Sequence, residues 1–256
     1  MKRILVALLL LFGPAFSQEK EFSDPLLQIL SLFEIPPDQA VVETQKLWLQ
    51  TGKERWEFDT RYETMRSELW PLFEKMGLLD ERAPKETHYD YAIILGALLE
   101  TVENRVNYLQ ELLDKGICFH QIVFLSGERP LLDRERERLE GLETEFEMVR
   151  WVYDHSHLPR EIAVLFIDAR KKNLPGIWRP QTDDTVFEWL KTNPSPGLCL
   201  AISSQPYVDY QNAVLRRLLP QEFTIETVGP KAKDSISVAV MLETVAKALL
   251  WEHGAP

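Results

Sequence analysis

The chain has 256 residues, with 29 lysines and arginines against 40 aspartates and glutamates and a formal net charge of -11. An acidic chain with no basic arm repels phosphate backbones, which excludes nucleic acid as a partner. With 45% hydrophobic residues, the length suits one α/β domain with an extra helical piece, or two small domains.

Residues 1–17 carry an export pattern: Met1-Lys2-Arg3, an apolar run over 4–12, Gly13-Pro14, then Ala15-Phe16-Ser17. A basic start, an apolar run well under the roughly 20 residues that span a bilayer, and small residues before the cut define a signal peptide. Cleavage after Ser17 leaves Gln18 first and takes Lys2 and Arg3 away, so the charge moves from -11 to -13. The mature protein is then periplasmic or secreted. Left uncleaved, the segment is an inner-membrane anchor, and it is the chain's one expected membrane contact.

Residues 18–88 form the second expected unit. Apolar residues recur at helical spacing from Leu26 to Met76, and Pro25, Pro36, Pro37, Gly52, Pro71 and Gly77 break them into short helices. Trp48, Trp56 and Trp70 give this helical unit large apolar faces, for packing on the rest of the chain or for contact with a protein partner.

From residue 89 to 256 strand-like and helix-like segments alternate. Apolar runs at 91–95, 121–125, 163–167, 198–202 and 223–228 are each succeeded by a helical pattern: 98–113, 132–153, 184–191, 208–219 and 236–251. Continuous apolar strands, each leading into a helix, predict an α/β, Rossmann-like three-layer sandwich with a mostly parallel sheet of about five strands. Right-handed crossovers put every strand C-terminus on one edge, and ligands bind there, where the strand order reverses.

Cys118 and Cys199 sit in strand-like segments, where they pair with each other or stay inert small hydrophobes. There is no CxxC, and the closest histidines, His155 and His157, are two apart at a helix exit, so no metal site is expected. GxGxxG, the P-loop and GxSxG are absent as well, so neither a standard dinucleotide or triphosphate site nor a serine nucleophile is supported, and the sequence leaves any cofactor unknown.

The predicted edge instead collects Gly96, then Ser126-Gly127-Glu128-Arg129, Asp168-Ala169-Arg170 and Ser203-Ser204-Gln205. Small residues and hydroxyls at such turns let backbone N–H groups and helix N-termini meet an anion. Arg105, near the start of the first crossover helix, either pairs with that anion or makes a surface salt bridge to Glu100 or Glu103. The dense charges from Glu128 to Glu147 read as a solvated helix face, with Glu145 as the acid–base candidate if it faces the edge.

DYAIILG with Arg105 beyond it, FLSG, TEFEMVRW, TDDT at 182–185 and SSQPY occur in that order. The pattern over about 89–251 resembles the SanA/YdcF/ElyC envelope-protein family. The resemblance implies a Rossmann-type domain linked to cell-envelope or peptidoglycan maintenance. Its implied pocket residues are Asp90, Gly96, Arg105, Ser126, Gly127, Glu145, Thr182, Asp184 and Ser204. Where the family has a histidine and an arginine after its SQPY-like turn, this chain has Val208 and Gln211, and the insertion KKNLPGIWRPQ stretches the segment before Thr182. Two functions are expected from these features: binding of a small anionic ligand at the sheet edge, with or without residual catalysis, or a non-catalytic adaptor whose pocket is vestigial.

Overall fold

The structure, a computed structural model, describes residues 22–50, 53, 57–58, 60–171 and 179–254. The expected signal peptide, Trp56 and most of the insertion before Thr182 lie outside the described residues.

Three helices come first: α1 (Asp24–Leu32), α2 (Ala40–Trp48) and α3 (Arg66–Lys75). The α/β part begins with β1 (His88–Leu95), α4 (Leu99–Asp114), β2 (Cys118–Gly127), α5 (Asp133–Arg136), α6 (Glu145–Asp154) and β3 (Ala163–Ala169). It continues through α7 (Thr182–Leu190), β4 (Leu198–Ile202), α8 (Val208–Leu218), β5 (Thr224–Val228) and α9 (Val238–His253). All neighbouring strands pair in parallel, in the order β3-β2-β1-β4-β5. The chain therefore winds outward in one direction from β1 to β3, crosses back to β4 beside β1, and winds the other way. That is the doubly wound arrangement, with its switch point between β1 and β4.

Both faces of the sheet are covered, which explains the continuous apolar runs of the central strands β1, β2 and β4. Ala92, Ile94, Ile122 and Phe124 pack against α4 and α6 through Val102, Leu109, Met148 and Val149. Tyr91, Ile93, Leu95, Val123 and Leu125 pack against α7 and α8 through Val186, Trp189 and Leu215.

The expected single helix over 132–153 is divided. Gly141 turns the chain at φ +85, a conformation glycine adopts at little cost. Thr144 then restarts the helix as N-cap: its hydroxyl accepts from Glu147 N, while the Glu147 carboxylate accepts from Thr144 N. An antiparallel bridge between Pro130 and Thr144, with Leu131 N on Glu143 O at 2.9 Å and Glu145 N on Arg129 O at 2.8 Å, closes the excursion into a loop.

The helical unit shares a core with the last helix. Leu26, Ile29, Leu30, Trp48, Leu69 and Phe73 pack with Val238, Met241, Leu242, Val245 and Leu249 of α9. Trp48 is spent in this core, while Trp70 stacks under the Arg66 guanidinium at 4.3 Å. Cys118 and Cys199 are both free. They lie on β2 and β4, with β1 between them, so two strand spacings of about 4.8 Å each exceed disulfide reach. Among the described residues no helix is long and apolar enough to cross a membrane, and no three His, Cys, Asp or Glu side chains group to hold a metal.

Candidate functional site

A cavity of about 220 Å³ opens at the C-terminal ends of β1 and β2, beside the switch point. Gly96, Ala97 and Leu98 after β1 line it, together with Tyr207, Tyr210 and Gln211 at the start of α8. The rest comes from Arg129 after β2, Glu145 at the first turn of α6, Arg179 to Thr182 leading into α7, Arg105 on α4 and Lys247 on α9. Among the described residues this lining carries four cations and one carboxylate, in a chain whose net charge is -11.

Arg105, Arg129 and Lys247 are held by partners within the described residues. Arg105 is 3% exposed, and its Nη1 donates to Leu95 O at 2.6 Å and to Gly96 O at 3.0 Å, fixing the last carbonyls of β1. Neither expected salt bridge forms: Glu100 pairs with Lys233 and Glu103 with Arg138. Arg129, also 3% exposed, grips Glu135 with two bonds of 2.8 and 3.0 Å and donates to Ala97 O at 3.1 Å. Lys247 pairs with Glu243 one turn back on α9.

Glu135 organises this corner. Besides Arg129, it accepts from Leu132 N at 2.8 Å and from Leu99 N at 2.9 Å. Leu98, the N-cap of α4, has no side chain able to cap, so Glu135 satisfies an orphan N–H of that helix from a distant part of the chain. Burial alone would raise the Glu135 carboxyl, but Arg129 and the two backbone donors outweigh it and hold it below the usual carboxylate range.

Glu145 is the opposite case. Its carboxylate lies against Gly96 and 9% of the residue is exposed; among the described residues its closest ion pair is with Arg129 Nε at 3.8 Å, outside hydrogen-bond range. Burial pushes its pKa up to about 7, only partly opposed by Arg129, Arg179 and Arg105. A carboxyl raised in the folded state adds stability below its unfolded value, and that stability is lost as pH rises toward 7. Above that, the ionised group weakens the fold, a cost characteristic of functional positions.

The glycine makes this placement possible. A Cβ at residue 96 would sit 2.7 Å from Glu145 Oε1 and 2.8 Å from Leu125 O. Gly96→Ala should therefore displace Glu145 and strain the β1 exit, lowering stability by about 1–3 kcal/mol. Chemical denaturation of both proteins checks this, and an unchanged midpoint would show that the Glu145 carboxylate has room to move.

Of the sequence-derived site residues, Gly96, Arg105, Glu145 and Thr182 line the cavity. Asp90 does not, and that expectation is corrected: it lies near the start of β1, accepts from Leu198 N at 2.7 Å and meets His120 Nδ1 at 3.2 Å. In a parallel sheet that places it at the end away from the cavity. The other four support the edge without lining it. Ser126 donates its hydroxyl to Ile167 O at 2.7 Å, and Gly127 allows close approach of Ala169 and Pro180. Asp184 accepts from Gln181 N at 3.0 Å and caps α7, and the Ser204 carbonyl accepts from Tyr207 N at 2.8 Å as α8 begins. Gln211 reaches the lining, whereas Val208 is fully buried outside it.

Arg129, which the sequence placed at the edge without assigning it to the pocket, joins the lining, as do Arg179, Tyr210 and Lys247 from outside the sequence-derived set. Lys247 has one usable signal: it is a charge in the apolar stretch VAVMLETVAKALLW, with Glu243 at i-4.

Fold and cavity together define a doubly wound α/β protein with a cation-lined cavity at its topological switch point. By sequence it is similar to uncharacterized mycobacterial proteins: Rv3785 and MT3893 of two Mycobacterium tuberculosis strains, and Mb3814 of Mycobacterium bovis. Each is 27% identical over 195 residues, covering 62% of this chain and 54% of the relative. The chain thus spans about half the length of the curated relatives it matches. No family model and no solved structure matches it.

Proposed function

We propose that this protein binds a small anionic ligand in the cavity at the β1/β4 switch point. We further propose that it works outside the cytoplasm as an envelope-associated protein of the SanA/YdcF/ElyC-like type, linked to cell-envelope or peptidoglycan maintenance. The observation that carries the binding reading is the concentration of Arg105, Arg129, Arg179 and Lys247 around one cavity of an otherwise acidic chain. Helix N-termini at Thr182 and Glu145 add favourable partial charge there. The export part rests on the pattern of residues 1–17.

A ligand that binds the folded state alone stabilises it by about 2.7 kcal/mol at a concentration 100 times its Kd. For a chain of this size that raises Tm by roughly 5–10 °C. The test is a thermal-shift screen of the mature protein against nucleotides, sugar phosphates and peptidoglycan fragments. A hit of this size from an anionic compound supports the reading. No shift across the panel favours a second one, a non-catalytic adaptor with a vestigial pocket, for which the observation is Val208 and Gln211 in place of the family's histidine and arginine.

A further inference from the structure

Glu145 sets a condition on the ligand that its charge alone does not. Among the described residues no side chain or backbone N–H donates a hydrogen bond to this carboxylate, although the residue is 9% exposed and lines the cavity. Buried polar groups are hydrogen-bonded as a rule, and a buried carboxylate without a donor is costly. The deficit is satisfied if the occupant brings a donor.

We propose that the cavity selects anions that carry a hydroxyl-type proton on the anionic group itself, so that it takes inorganic phosphate and rejects sulfate. This rests on the anion-binding reading above and sharpens it. Near neutrality inorganic phosphate is an anion that still bears at least one P–OH, which donates to the Glu145 carboxylate while its other oxygens face the cations. Sulfate bears none, and its oxygens repel the carboxylate at short range. Sulfate enters only when Glu145 is itself protonated and donates instead. The cavity of about 220 Å³ exceeds what an inorganic oxyanion fills, since about 10–15 Å³ holds a water; a larger ligand meets the same condition only with a donor beside its anionic group, because a phosphate monoester near neutrality is mainly a dianion without a P–OH.

The charged and titratable groups around Glu145 come from every neighbouring element. They are Arg129 and Glu135 from the loop closed by the Pro130–Thr144 bridge, Arg105 from α4 and Arg179 ahead of α7, with Tyr207, Tyr210 and Lys247 across the cavity. Histidine is absent from the described lining, and Glu145 is its one carboxylate. The carboxyl titrates at about 7, so the protonated, sulfate-competent fraction falls from about nine-tenths at pH 6 to about 3% at pH 8.5. Apparent affinity scales with that fraction.

The experiment titrates inorganic phosphate and inorganic sulfate calorimetrically into the mature protein at pH 6 and pH 8.5, at constant ionic strength, and repeats both with Glu145→Gln. The expected result is phosphate affinity changing less than about threefold between the two pH values while sulfate affinity falls roughly 30-fold. In Glu145→Gln, whose amide can donate at any pH, the sulfate affinity becomes flat. Should the two anions respond alike to pH in wild type, the selectivity is overturned while the anion site stands. If neither anion binds at either pH, the anion-binding reading itself fails. A Glu145→Gln protein that folds, as judged by its melt, and keeps the wild-type sulfate profile would assign the pH dependence to another group and overturn the proposal. If the variant does not fold, the wild-type comparison decides alone.

Discussion

Glu135→Ala should lower the unfolding free energy by about 3–5 kcal/mol, a large fraction of the roughly 5–15 kcal/mol typical of a folded domain. The side chain is 3% exposed and supplies both oxygens to the equally buried Arg129. Without it, a guanidinium remains in the interior with its main counter-charge gone, and Leu99 N and Leu132 N lose their acceptor. Uncompensated buried charge accounts for most of the loss, because forming such a pair gives little net stability while breaking one is costly. The double replacement Arg129→Met with Glu135→Leu should therefore recover much of the stability, yet bind anions more weakly, since one of the four cavity cations has gone. The effect also depends on pH. Glu135 is held below its unfolded value, so its contribution is present above about pH 4.3 and is lost as pH falls through the lower folded value. Urea titrations at pH 7 and pH 3 should show the wild-type advantage shrinking in acid. An equal gap at both would mean that packing, rather than the carboxylate charge, sets the loss.

Phe73→Ala should cost a similar amount, about 3–5 kcal/mol, for a different reason. The ring is fully buried where α3 meets α9, and it meets Trp70 edge-on at 6.4 Å. Truncation to Ala removes its transfer free energy and leaves a cavity that the surrounding helices only partly close. Because α9 carries Lys247 on its cavity side and Val238, Met241, Leu242 and Val245 in the shared core, the helical unit and the α/β part should melt in one transition. Near-ultraviolet and far-ultraviolet signals that unfold together in both proteins check this. Two separate transitions would show that residues 24–75 fold as an independent unit.

The central strands β1, β2 and β4 are legible in the sequence because parallel strands buried on both faces have no polar alternation to conceal them, whereas the edge strand β5, TIETV, is half polar. The runs YAIIL, QIVFL and LCLAI mark β1, β2 and β4 within a few residues of their observed ends. Gly96 and Glu145 are legible as members of a strand-edge site. The parts that escape a local reading depend on chain reversal. Glu135 stands in a run of mixed charges that reads as solvated, and it is buried against Arg129 at the sheet edge because the Pro130–Thr144 bridge folds that run back on α4. Asp90, implied by the family resemblance alone, lies near the start of β1, at the end of the sheet away from the cavity. Lys247 reaches the lining from α9, whose other residues pack with the helical unit, a long-range arrangement that no local pattern encodes.

Anion binding at the switch point is tested most directly by an amide chemical-shift map of the protein titrated with inorganic phosphate at pH 7. A site there predicts saturable shifts concentrated at Gly96, Ala97, Arg129, Thr182 and Tyr207, which enclose the cavity. Shifts gathered instead at the cleft between Phe22, Lys75 and His253, or scattered without saturation over surface lysines, would contradict it.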